Sequence, residues 1–87
     1  MDITVKELRC IAKDYLLSSK DVQETYTNLL DDILDAAKEG KTDLIVYLHT
    51  YENQDIIWSA LKALELDEFR LIPYRNTTII TISWGFN

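Results

Sequence analysis

Cysteine, proline, glycine and histidine are all scarce in this 87-residue chain: one Cys, one Pro, two Gly and one His. A lone Cys10 excludes an intrachain disulfide and a thiolate-built zinc site. With only Gly40 and Gly85 available, no glycine-rich phosphate loop can form. Basic residues are also few, nine against fifteen acidic, for a net charge of −6. That balance argues against nucleic acid and anionic membrane as ligands, because both demand clustered Lys and Arg. No apolar run is long enough for a membrane span. Met1-Asp2-Ile3-Thr4 lacks the basic and apolar regions of a signal peptide. What remains is ordinary globular composition, 47% hydrophobic and 28% charged, with room for a single domain over residues 1–87 and one small core. So small a core leaves room for stabilisation by an oligomer or a partner.

With so little Gly and Pro, helix boundaries must come from caps. Thr4-Val5-Lys6-Glu7 matches a capping box, with Ile3 and Leu8 at the spacing of a hydrophobic staple. A first helix is expected over 5–17, with Val5, Leu8, Ala12, Tyr15 and Leu16 on its core face and Ile11 at the edge. Ser18-Ser19 interrupts the pattern and caps a long second helix over 21–39. Its apolar stripe is Val22, Tyr26, Leu29, Leu30, Ile33, Ala36 and Ala37, and Gly40 stands where a left-handed residue is wanted. The period then shortens. The β-branched and aromatic run from Leu44 to His49 reads as a strand. After a polar loop, Asp55 is the expected cap of a third helix, 56–66, whose core face is Ile57, Ala60, Leu61 and Leu64. The rest reads as a hairpin, strands 69–74 and 78–84 about a turn at Arg75-Asn76-Thr77. Pro73 cannot donate to a ladder and places its strand at an edge. The expected fold is α+β: a single ααβαββ domain with a three-stranded antiparallel sheet, order 1-3-2, packed by helices on one face.

Alternation along the strands assigns Leu44, Val46, Leu48, Phe69, Leu71, Ile80, Ile82 and Trp84 to the core side of the sheet. The other side receives Ile45, Tyr47, His49, Arg70, Ile72, Tyr74, Ile79, Thr81 and Ser83. That set is unusually apolar for a face left to water. Either the first helix covers part of it, or it is an interaction patch, with Ile45, Tyr47, Ile72, Tyr74 and Ile79 as the candidate contacts. Trp58 falls off the core stripe of the third helix. It is either a partner anchor or a boundary residue folded over that stripe. On the second helix Glu24, Asn28, Asp31 and Asp35 follow at helical spacing, with Asp32 and Glu39 beside them. This acidic ridge is either a solvated face or a surface for a basic partner.

The catalytic inventory is thin. His49 is the one candidate general base, but no Ser, Cys or Asp spacing marks a companion. Cys10 lies opposite the main stripe of its helix, near Lys6, Arg9 and Lys13. No EF-hand loop accompanies the carboxylates, so no metal is assigned. No cofactor and no catalytic residue is expected.

The helix ending Leu61-Lys62-Ala63-Leu64, the closing strand Ile79-Ile80-Thr81-Ile82-Ser83-Trp84 and the segment Ala36-Ala37-Lys38-Glu39-Gly40 together resemble a recurring type of small α/β protein encoded in bacteriophage genomes. The resemblance spans roughly residues 22–84. Such proteins often have Leu-Gly and an aromatic after the third helix. Here Leu66-Asp67-Glu68-Phe69 stands instead, which leaves the tightness of that turn open. The group has no settled activity, so the resemblance implies context, a viral accessory protein in a bacterial cytoplasm, and carries over no site residues.

The expectation is a non-enzymatic factor that binds a host protein, as an accessory or inhibitor (anti-defence) protein, and that forms a homo-oligomer. The alternatives are a virion or morphogenesis component, and a small-ligand-sequestering protein or enzyme using His49 with Tyr47 or Tyr51.

Overall fold

Helix caps set the first boundaries. The Thr4 hydroxyl accepts from the Glu7 amide at 3.1 Å and opens α1, Val5–Leu16. Ser19 precedes α2, Lys20–Lys38, without a side-chain bond of its own. α2 ends in a Schellman turn: Gly40 takes φ +83°, its amide donates to the Ala37 carbonyl at 3.0 Å, and the Lys41 amide donates to Ala36 at 3.0 Å. These bonds satisfy carbonyls that the helix itself leaves unpaired. The computed structural model describes residues 3–75 and 78–85.

The remaining elements are β1 Asp43–Tyr47, a 3₁₀ turn Leu48–Thr50, α3 Gln54–Leu66, β2 Arg70–Pro73 and β3 Ile79–Ser83. β3 lies between its two partners, antiparallel to both. The order and orientation are those expected, and Pro73 sits on an edge strand. The hairpin turn at 76 and 77 falls outside the described residues.

Beyond shifts of a residue or so at other ends, two assignments depart from expectation and one open point is decided. The first strand stops at Tyr47, so His49 sits in the 3₁₀ turn. The cap of α3 is Asn53, whose side chain accepts from the Ile56 amide at 3.2 Å; Asp55 instead lies in the first turn, where a carboxylate complements the helix dipole. The turn after α3 is tight without glycine. Glu68 adopts φ +74°, its amide donates to Glu65 at 3.0 Å, and Phe69 donates to Leu64 at 3.2 Å. This is the same Schellman pattern that Gly40 makes.

α2 packs on β1 and α3 on β2, so both cover the same side of the sheet. The core is Val22, Tyr26, Leu29 and Ile33 from α2, Ile57, Ala60, Leu61, Ala63 and Leu64 from α3, and Val46, Leu48, Ile80 and Ile82 from the sheet side. Leu44, Phe69, Leu71 and Trp84 pack around its margin. Alternation placed all eight residues on the core side, although Leu48, Phe69 and Trp84 lie just beyond the strand ends.

α1 is the correction. It packs chiefly on α3 and away from the sheet, and none of its residues is buried. The radius of gyration, 13.5 Å, exceeds the ~12 Å expected for a compact chain of this length. The expected core face of the first helix is instead its outer face. Val5, Leu8, Ile11, Ala12 and Tyr15 are exposed, and only Leu16, with the cap residue Leu17, reaches the core margin.

Candidate interaction surfaces

α1 turns its charged arc towards the rest of the fold. Its inward arc carries Lys6, Arg9 and Lys13, which meet the acidic end of α3. Lys13 Nζ lies 2.9 Å from Asp67 Oδ1, and Arg9 lies 3.7 Å from Glu68. Asp67 also accepts from the Tyr26 hydroxyl, and the Lys13 ammonium stands 5.3 Å from the centre of the Tyr26 ring. One carboxylate thus joins α1, α2 and the C-cap of α3. The hydrogen bond to Asp67 raises the Lys13 pKa above its ordinary value, partly opposed by desolvation. Burial, helped by the bond to Asp67, raises that of the Tyr26 hydroxyl. The negative end of the α3 helix dipole lies at the same place. A groove of about 550 Å³ runs along this junction, lined by Val5, Lys6, Arg9, Cys10, Lys13, Leu66, Asp67 and Glu68. Cys10 is an exposed thiol on its wall.

The outward arc is apolar. Val5 and Ile11 are each 63% exposed and Tyr15 is 80% exposed, with Ile3 and Leu8 alongside. These residues follow the i, i+3, i+7 spacing of a helix that presents one face to a partner. Glu7 and Asp14 edge the stripe, and among the described residues neither carboxylate enters an ion pair.

The second surface is the side of the sheet away from α2 and α3. α1 packs on α3 and does not cover it. Ile45, Tyr47, Ile72 and Tyr74 are exposed there. Ile79 and Thr81 are half-buried between them on β3, and Ser83 is buried between neighbouring strands. The register aligns Ile45, Thr81 and Ile72 in one row, and pairs Tyr47 with Ile79 in the next. Tyr74 completes that second row by donating its amide to the Ile79 carbonyl at 2.9 Å. The sequence thus brought together five of its six candidate contacts. Trp58 is exposed, but on the outer side of α3 in the helical layer, and does not join them.

The acidic ridge is only partly continuous. Glu24, Asp31 and Asp35 are exposed along α2. Glu39 is the C-cap residue and lies 3.1 Å from Lys41. Asp32 approaches Tyr51, whose pKa is raised by burial first and by this carboxylate second.

His49 is exposed, with its ring edge-on to Tyr47 at 6.1 Å. Among the described residues it makes no hydrogen bond or ion pair, and it does not line the α1–α3 groove. Among the described residues no three His, Cys, Asp or Glu side chains gather as metal ligands, and no helix is long and apolar enough to cross a membrane.

Sequence reasoning missed the Lys13–Asp67–Tyr26 cluster. A buried tyrosine hydroxyl needs a hydrogen-bond partner, and that was the available signal at Tyr26. Nothing in helical periodicity connects Lys13 with a residue 54 positions away. No protein-family model matches the chain, and no curated protein or solved structure is detectably similar to it.

Proposed function

We propose that this protein is a non-enzymatic interaction factor, a phage accessory or inhibitor protein that acts in the bacterial cytoplasm by binding a host protein. It does so by laying the outward stripe of α1 into an apolar groove of that host protein. The observation that carries the reading is the inverted amphipathicity of α1. Fully burying a side chain such as Leu8 or Ile11 is worth about 1.5–3 kcal/mol. This fold leaves both in water while ion pairs anchor the opposite arc. Association recovers that unrealised burial. Glu7 and Asp14 beside the stripe favour a groove with a basic rim.

The test is affinity capture from host lysate, repeated with Leu8→Asp combined with Ile11→Asp. Both residues are exposed, so the variant keeps its far-UV circular dichroism. Loss of one discrete captured protein is expected. Capture that survives this variant but fails with Asp31→Lys and Asp35→Lys moves the contact to α2 and refutes the α1 reading. Capture indifferent to both refutes it as well.

A further inference from the structure

We propose that the open face of the sheet is a twofold-symmetric contact with a second copy of this chain. It uses a surface other than the α1 stripe and stands or falls separately from it. The argument is the pattern across β3. One row of the open face reads Ile45, Thr81, Ile72 and the next reads Tyr47, Ile79, Tyr74. Both rows carry the same residue type on the two edge strands, so each is a palindrome about β3. The third row reads Asp43, Ser83, Arg70. Its edges are exposed and of opposite charge.

A twofold axis lying between two facing sheets, along β3, places β1 of one copy over β2 of the other without shifting the rows. Ile45 then faces Ile72 of the partner subunit, Tyr47 faces Tyr74 of the partner subunit, and Asp43 faces Arg70 of the partner subunit. Each contact then occurs twice in the dimer, once in each direction, as an isologous interface requires. Packed sheets stand ~10 Å apart, a gap that an arginine and an aspartate span together. An axis across the strands instead sets the charged row against the aromatic row, which the chemistry disfavours. A palindromic face with an antisymmetric charged row is complementary to itself.

The area places the contact in a size class. Ile45, Tyr47, Ile72 and Tyr74 are 52, 48, 47 and 63% exposed. Aromatic side chains bury 150–250 Å² in full, so these four residues offer roughly 400 Å² per copy. A pair then buries ~800 Å² in total, below the ~1,600 Å² of a standard stable interface. An interface of that size belongs to the weak, transient class, so association is to be sought between ~10 µM and ~1 mM.

Sedimentation equilibrium over that range tests it. The apparent mass is expected to rise from 10.1 kDa towards twice that value, and a chain still monomeric at ~1 mM refutes the proposal. Asp43→Arg alone and Arg70→Asp alone each set like charges against each other and are expected to weaken self-association at least tenfold. Mixed in equal amounts, the two variants match both charged positions and are expected to restore the dimer as a heterodimer. An ion pair within one chain gives no such rescue, so a mixture that stays monomeric refutes the axis. Ile45→Lys with Ile72→Lys is expected to hold the chain monomeric and leave its core untouched. Dimers abolished by Leu8→Asp with Ile11→Asp, and spared by the sheet variants, transfer self-association to α1 and overturn the proposal.

Discussion

Replacing Glu68 by glycine is expected to stabilise this protein, although it deletes an ion pair. Glu68 is held at φ +74° by the two hydrogen bonds that close α3. A side chain in that region costs about 1–2 kcal/mol, because Cβ crowds the following carbonyl. Glycine removes this cost but gives the unfolded chain about 0.5–1 kcal/mol of extra entropy. The Arg9–Glu68 pair is exposed and 3.7 Å apart, and such pairs contribute between about 0 and 1 kcal/mol, here at the lower end. The net gain for Glu68→Gly is about 0.5–1 kcal/mol, which raises Tm by roughly 2–8 °C in a domain of this size. Gly40→Ala is the mirror experiment. An added Cβ there meets nothing within 4 Å, so only the backbone conformation at φ +83° is taxed, and stability should fall by about 0.5–1 kcal/mol. Urea and thermal unfolding followed by circular dichroism measure both. If Glu68→Gly lowers stability, or if both variants shift it the same way, backbone strain is not what distinguishes the two helix ends.

Two further outcomes concern the cluster that joins the helices. Asp67→Ala leaves Lys13 and the Tyr26 hydroxyl without their shared acceptor and should cost about 1–3 kcal/mol; a change under ~0.3 kcal/mol in urea unfolding would show that the cluster does not orient α1. The pKa values of Lys13 and Tyr26 are both raised on folding. A raised pKa means that the folded state holds its proton more tightly, so the stabilisation is complete below the ordinary values of 10.5 and 10.0. Stability should stay level in this respect through neutral pH and fall as pH climbs above about 10. A pH series of urea midpoints checks this, and a midpoint that rises above pH 10 contradicts the assigned cause.

Legibility differed sharply between elements. α2 and α3 read directly because each has one apolar arc and that arc is covered. The strands read from period-two alternation, and strand order followed from Pro73 and the apolar character of β3. His49 was misplaced because a continuous apolar run does not show where a strand yields to a 3₁₀ turn. Asn53 and Asp55 are both competent caps, and only the bond that the Asn53 side chain accepts from the Ile56 amide separates them. The tight turn at Glu68 was unreadable for a different reason. Local preference asks for glycine at the left-handed position that ends a helix, and here a glutamate takes it. Of the candidate contacts, the five sheet residues were grouped correctly, whereas Trp58 was joined to them without any periodic relation.

By itself the sequence determined which residues share a face in α2, in α3 and on each strand, because local geometry fixes the side-chain period. It also determined that the far side of the sheet is apolar. Only the tertiary structure decided the fate of α1. An amphipathic helix announces that it has an apolar face, but its rotation is chosen by what it meets. Here Lys13 and Arg9 meet Asp67 and Glu68 across a long stretch of chain, and with that charged arc turned inward the apolar arc of α1 faces water.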